Sequence, residues 1–301
     1  MDGIVLNNLH FNYPNKSIFR GISFNAYPSQ ITFLAGENGI GKTTWIKLAT
    51  GRLKPLNGEI TFNSKKITEI RDQISVVLDE PPIYEHLNGY DNLIALAGVC
   101  KLSEQDQLEI TNTLNLAPSL MNRKAKGFSL GQRHRLAYAA AIIRRPKYLI
   151  LDEPTIGLDP FSWDLIKEHL KSMAQSGVTI ILTGHDFNQI SEIADNIVII
   201  KNGKVIKEGN INGLLKDNKK TLNILVNNIK VVKNLYPLST IRIVNNDEYV
   251  CIPIEENQDF NKILNVLNKH DVTIKDLNVR SITLKEIYKE FVQKENVSER
   301  G

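Results

Sequence analysis

The stretch Gly36-Glu37-Asn38-Gly39-Ile40-Gly41-Lys42-Thr43-Thr44 constrains the fold of this chain more than any other. It fits the pattern G-x-x-x-x-G-K-[ST], with an apolar strand-like run, Ile31-Thr32-Phe33-Leu34-Ala35, before it and a helical run, Trp45-Ile46-Lys47-Leu48-Ala49, after it. The glycines let the backbone turn back on itself, so consecutive N–H groups and the positive end of the following helix converge on one point. A triphosphate is the ligand that fits such a loop. Lys42 is placed to reach the β- and γ-phosphates, the Thr43 hydroxyl to ligate Mg2+, and Thr44 to bond a phosphate nearer the nucleoside. The loop alone does not say which phosphoryl chemistry follows.

The strand–loop–helix context asks for an α/β fold, and later apolar runs supply its other strands. Ile74-Ser75-Val76-Val77-Leu78 ends in Asp79-Glu80-Pro81-Pro82, Lys147 to Leu151 ends in Asp152-Glu153-Pro154, and Val178 to Thr183 ends in Gly184-His185-Asp186. None alternates with polar residues, as expected of a mostly parallel sheet covered on both faces, where ligands sit at the carboxyl ends of the strands. Asp152, Glu153 and His185 are therefore expected at one edge. Paired with the phosphate loop, Asp152 suits a Mg2+ ligand and Glu153 the group that polarises an attacking water. His185 suits a γ-phosphate contact that also holds that water. Capping of the next helix is the other use for carboxylates at a strand end.

The first 30 residues read as short strands, Ile4-Val5-Leu6, Ile18-Phe19 and Ile22-Ser23-Phe24, broken at Tyr13-Pro14-Asn15 and Pro28. Tyr13, in a turn upstream of the loop, suits either stacking on a base or a half-buried place at a strand end. Pro55 and an Asn57-Gly58 turn lead to a hairpin-like run, Glu59 to Phe62. From Tyr90 to Arg145 the pattern is helical: Asn92 to Val99, Ser103 to Leu114, and Leu130 to Arg144. Ser129 and Gln132 form a capping box at the start of the last of these. A helix from Ser162 to about Gln175 follows the loop Thr155 to Pro160, and strands at Ile197–Ile200 and Lys204–Ile206 meet at an Asn202-Gly203 turn.

Composition excludes several other classes. The 301 residues are 42% hydrophobic and 23% charged with a net charge of +4, and the basic residues are dispersed, so no nucleic-acid partner is expected. Arg133-His134-Arg135 and Arg144-Arg145 read as solvated helix faces. Cys100 and Cys251 are the only cysteines and lack metal-ligand spacing, which favours a reducing, cytosolic setting. No signal peptide is read at Met1 to Val5, and the longest apolar run, Leu93 to Cys100, is too short to cross a bilayer. Any membrane process served by this chain needs another chain to span the bilayer.

Together these residues resemble the ATP-binding cassette (ABC) ATPases, over about residues 1 to 215 and in that family's order. Tyr13 resembles the adenine-stacking aromatic, Gly36 to Thr44 the Walker A loop, and Phe128-Ser129-Leu130-Gly131-Gln132 the signature sequence. Leu149 to Glu153 is similar to Walker B with its catalytic Glu, Gly157-Leu158-Asp159 to the D-loop, and His185 to the switch histidine. Two positions depart from the pattern. Leu130 replaces the signature's first glycine, while Ser129 and Gly131 are kept. Asp79 replaces a Gln that contacts Mg2+ in the family, with Glu80 the neighbouring candidate. Both departures are similar to the bacitracin and lantibiotic exporter ATPases.

The resemblance implies an ATP-hydrolysing subunit that drives a separate polytopic membrane permease from the cytoplasmic face of the membrane. It also implies a head-to-tail pair of cassettes, the same or different, with two ATP molecules between Walker A of one and the signature of the other. In that arrangement Ser129, Gly131, Gln132 and Asp159 serve the nucleotide of the opposite subunit, and the helical stretch of about residues 85 to 145 is a subdomain. Soluble cassette proteins of translation or DNA repair are the competing class; they carry two cassettes or a long coiled-coil arm, neither of which is visible.

Residues 221 to 292 read as a separate α+β unit in the order β-α-β-β-α-β, which suggests a ferredoxin-like module. Its expected elements are strands at Thr221–Val226, Ile241–Val244, Tyr249–Ile254 and Val272–Ile274, with helices at Ile229–Tyr236 and around Phe260 to Leu267. A final helix is capped by Thr283 and Glu286. Asn268-Lys269-His270-Asp271 matches the guanine-reading N-K-x-D of GTPases but lies in this tail, outside the nucleotide domain, so it is read as a chance match.

Overall fold

A computed structural model describes residues 3–37, 39–216, 220–244, 247–254 and 260–298; Asn38 of the phosphate-loop motif lies outside the described residues. The chain divides into two compact units, residues 1–211 with 291–301, and residues 212–290.

The first unit opens with a long hairpin. Strands β1 (Ile4–Tyr13) and β2 (Lys16–Ala26) pair from Ile4↔Ala26 to Tyr13↔Lys16, with register shifts along the way. The short strands expected from the sequence are thus joined into two long ones, because bulges let the ladder continue where the apolar pattern breaks. Tyr13 closes β1 and is not in a turn. After β3 (Ile31–Ala35) and α1 (Lys42–Ala49), β4 (Asn57–Phe62) returns to pair with β1. Asn57 and Gly58 are strand residues, contrary to the expected turn. A Cβ on Gly58 would lie 2.1 Å from the Asn8 carbonyl oxygen, so the glycine is needed for close strand approach.

One turn of helix, α2 (Ile67–Ile70), precedes β5 (Ile74–Val77). Four helices follow: α3 (Gly89–Ala97), α4 (Glu104–Leu114), α5 (Pro118–Met121) and α6 (Leu130–Ile143). Then β6 (Tyr148–Leu151), α7 (Pro160–Gln175), β7 (Thr179–Gly184), α8 (Phe187–Ser191), β8 (Asn196–Lys201) and β9 (Lys204–Asn210) complete the main sheet, with α9 (Ile211–Lys216) after it. The order is β5-β6-β7-β3-β8-β9, parallel except for β8 with β9. Every residue of β3, β6, β7 and β8 is buried, as covering on both faces requires. One face shares a core with the hairpin and α1 through Phe24, Leu34, Trp45, Ile150, Ile181 and Val198. On the other, Phe33 of β3 meets Phe187 of α8 edge-on at 5.3 Å.

Helix α6 is buried nearly all round, which corrects one sequence expectation. His134 and Arg135 are not on a solvated face. The Arg135 guanidinium donates to the carbonyls of Leu114 (2.9 Å) and Asn115 (3.3 Å), and so closes the C-terminal end of α4. Arg145, by contrast, is exposed and pairs with Asp106 and Glu109 of α4.

The second unit contains β10 (Lys220–Val226), α10 (Ile229–Leu235), β11 (Thr240–Val244), β12 (Asp247–Ile254), α11 (Phe260–Lys269), β13 (Ile274–Arg280) and the start of α12 (Leu284–Ser298). Its sheet is antiparallel in the order β11-β12-β10-β13. The last strand runs from Ile274, where Val272–Ile274 was expected, because this edge strand is exposed over most of its length and carries little apolar signal. Leu222, Ile224, Val250, Ile252, Ile263 and Leu267 form the core. Glu286 of α12 reaches Arg280 at 3.1 Å and Arg242 at 3.6 Å, and exchanges capping hydrogen bonds with Thr283. No described helix is long and apolar enough to cross a membrane.

Candidate functional site

The carboxyl ends of β3, β6 and β7 lie side by side, and the phosphate loop rises from the first of them. Gly41, the residue before α1, has φ +113°, and a Cβ there would come within 2.4 Å of the Ile18 side chain; only glycine fits this turn. Around the loop is a cleft of about 500 Å³ lined by Tyr13, Gly39, Gly41, Lys42, Thr43, Thr44, Asp79, Asp152, Glu153 and His185. Lys16, Ile18 and Ile156 complete the lining. The sequence reading missed those three, which carry no motif of their own. Gly36 is buried beneath the loop, Ile40 is half-buried and donates its N–H to the Glu37 carbonyl at 3.2 Å, and Glu37 itself is exposed.

The polar groups form one connected set. Lys42 Nζ donates to the Gly36 carbonyl at 2.9 Å and pairs with Glu153 Oε1 at 3.2 Å. Glu153 Oε2 is 2.8 Å from His185 Nδ1. Thr43 Oγ1 donates to Asp152 Oδ2 at 3.2 Å, and Thr183 Oγ1 to Asp152 Oδ1 at 2.5 Å. Glu153 has φ +47°, left-handed backbone that a side chain adopts only when its surroundings determine it. The turn directs the Glu153 side chain back toward Lys42 and His185, which joins β6, β7 and the loop.

Asp152 is 2% exposed, and burial pushes its carboxyl above the usual range, with the negative charges of Asp79 and Glu153 adding to the effect against the hydrogen bonds from Thr183 and Thr43. The Thr43 hydroxyl and the Asp152 carboxylate, 3.2 Å apart, are oxygen donors of the kind a hard divalent cation prefers. Asp79 is exposed at the mouth and accepts the Glu80 N–H at 2.9 Å, while Glu80 is not in the lining.

Ser129, Gly131, Gln132 and Asp159 do not line this cleft. The Ser129 N–H donates to Gln132 Oε1 at 2.9 Å and the Gln132 N–H to Ser129 Oγ at 3.2 Å, which closes the capping box of α6. Asp159 caps α7: it accepts from the Ser162 hydroxyl at 2.6 Å and the Ser162 N–H at 3.0 Å, and these bonds hold its carboxyl below the ordinary range. The two helix starts abut, since a Cβ on Gly131 would lie 3.3 Å from Asp159 Oδ2 and one on Gly157 2.3 Å from Leu130 Cδ2. His134, buried beside them, is held below the usual imidazole range by burial, with Asp79 pulling the other way.

A buried acid whose folded pKa is raised binds more protons in the folded than in the unfolded state, so its penalty is full above the folded pKa and fades as pH falls to the unfolded value near 3.9. Asp152→Asn is therefore expected to raise the melting temperature at neutral pH by about 2–4 °C per kcal/mol relieved, a gain that shrinks toward pH 4. Calorimetry across pH checks this; a lower melting temperature at neutral pH would contradict it.

The match to the family model described as ABC transporter covers residues 19–156. The chain is 34% identical over 210 residues to the lantibiotic transport ATP-binding protein SrtF of Streptococcus pyogenes, covering 69% of this chain and 91% of that protein. It is 33% identical over 225 residues to the bacitracin transport ATP-binding protein BcrA of Enterococcus faecalis, covering 71% of each. Among solved structures, cbiO1 from Clostridium perfringens, described as part of the ABC transporter complex cbiONQ, superposes with a TM-score of 0.61 at 31% identity over 71% of this chain and 91% of that one. With a loop built for phosphates at the edge of a parallel sheet and relatives of this kind, the chain belongs to the ABC transporter ATP-binding proteins and is an ATPase.

Proposed function

We propose that this ATPase powers a separate polytopic membrane permease, exporting a drug, peptide antibiotic or similar compound. The observation that carries the nucleotide chemistry is the convergence of Lys42, Thr43, Asp152, Glu153 and His185 on one cleft. The lantibiotic and bacitracin transport relatives support transport of such a compound, and the cbiONQ assembly of the solved relative supports a partner chain. The protein then works in the cytoplasm, peripheral to the inner face of the membrane, with no nucleic-acid partner.

In this reading the Tyr13 ring, 38% exposed at the cleft mouth and braced edge-on by Phe11 at 5.1 Å, stacks on adenine. Residues 36–44 wrap the phosphates, and the Lys42 ammonium leaves its ion pair with Glu153 for the β- and γ-phosphates. Thr43, Asp152 and Asp79 hold Mg2+, which when bound neutralises charge on the β- and γ-phosphate oxygens. Glu153, freed from Lys42 and still held by His185, takes the proton of the attacking water.

Ser129, Gly131, Gln132 and Asp159 serve a second cassette, identical or different, whose cleft they close. Their absence from the lining of this chain's own cleft supports that reading, as do the exposed apolar side chains Leu130 and Phe161 beside them. Residues 1–215 form the nucleotide-binding domain, with about 85–145 as its helical subdomain, and residues 221–292 an accessory module of ferredoxin-like type. The strand order of the second unit supports the module.

Glu153→Gln is expected to lower turnover about 10²- to 10⁴-fold while ATP-bound dimers accumulate on size exclusion; undiminished hydrolysis would remove Glu153 as the base. Tagged protein purified from detergent-solubilised membranes of its host is expected to bring a polytopic membrane chain with it. Ribosomes or repair factors alone would replace transport with a soluble role.

A further inference from the structure

We propose that Thr183 is a positioning residue for hydrolysis, its one hydroxyl setting both Asp152 and Glu153. The proposal rests on the reading of the cleft given above. Strands β6 and β7 pair in parallel, with Leu151 opposite Leu182, so Asp152 and Thr183 are the next residues in the same register. That register brings Thr183 Oγ1 to Asp152 Oδ1 at 2.5 Å, with the hydroxyl donating. The same oxygen accepts the Glu153 backbone N–H at 3.2 Å. Thr183 is 0% exposed, so no solvent hydroxyl can replace it.

The two bonds do different things. With Thr43 on Oδ2 and Thr183 on Oδ1, both oxygens of Asp152 are engaged and the plane of the carboxylate is fixed. When the Thr43 hydroxyl turns to a cation, the Thr183 bond is the one that still orients Asp152. The second bond pins the N–H of a residue in left-handed backbone, φ +47°, and that turn brings the Glu153 carboxylate to Lys42 and to His185, two residues beyond Thr183. One donor and one lone pair of a single hydroxyl thus serve the cation-binding carboxylate and the catalytic one. Threonine and valine share the β-branched shape, so valine is the replacement that lacks only the hydroxyl.

The test uses the full chain with Thr183→Val, Thr183→Ser and, as a control, Thr179→Val, a buried threonine at the other end of β7. Mg2+ is titrated against a fixed concentration of a fluorescent ATP analogue, with folding checked by circular dichroism. Loss of a partner that orients a metal ligand raises the half-saturating metal concentration about 10- to 100-fold, and that rise is expected for Thr183→Val. Binding of the analogue without Mg2+, which rests on the phosphate loop, stays as it was. Thr183→Ser restores the Mg2+ response, and Thr179→Val leaves that response unchanged. An unchanged Mg2+ response in Thr183→Val overturns the proposal alone, whereas no Mg2+ response in the unsubstituted protein overturns the reading of the cleft and the proposal with it. Where the valine variant does not fold, Thr183→Cys, of similar size and a weaker donor, is read in the same way.

Discussion

Hydrogen bonding between the parallel strands β6 and β7, in the register that sets Leu151 against Leu182, fixes which side chains meet at the cleft. From that pairing, Asp152 and Glu153 leave one strand beside Thr183 and His185 of the next. Strand β3, paired on the other side of β7 with Ala35 opposite Gly184, delivers the phosphate loop to the same edge. A slip of one residue in either ladder would turn the carboxylates away from the loop. The burial that enforces the register comes from strands apolar on both faces, so core and cleft depend on the same pattern.

Concentrating charge at that edge opposes stability. Asp152 is nearly inaccessible, Lys42 and Glu153 form a buried pair, and Asp79 adds another negative charge at the mouth. Buried ion pairs seldom add net stability over apolar residues of similar size. The proposed function gives a reason for their presence: a triphosphate would take over Lys42, and a divalent cation would relieve Asp152. The ion pair with Glu153 at 3.2 Å compensates the buried Lys42 ammonium.

The phosphate loop, the buried strands and the carboxylates at their ends were legible in the sequence because their signals are local: glycines at fixed spacing, apolar runs, acids after the last apolar residue. Arg135 was not legible, because its partners are the carbonyls of Leu114 and Asn115, 20 residues and more away in the chain, and nothing near Arg135 marks it as a cap. Thr183 was equally hidden, since a threonine ending a strand is ordinary until the neighbouring strand sets Asp152 against it. The long first hairpin was underread because bulges carry it through breaks in the pattern, and β13 because an exposed edge strand has little apolar content. Ser129 and Gln132 were legible as a cap, and their two capping bonds are present at the start of α6.

In the proposed function Lys42 exchanges Glu153 for phosphate. The most direct measurement is a structure of the protein with Mg2+ and a non-hydrolysable ATP analogue. It is expected to place Lys42 Nζ on the β- and γ-phosphate oxygens, with the 3.2 Å contact to Glu153 opened, the base against Tyr13, and the cation bound by Thr43 and Asp152. An analogue bound elsewhere, with the Lys42–Glu153 pair intact, would contradict it.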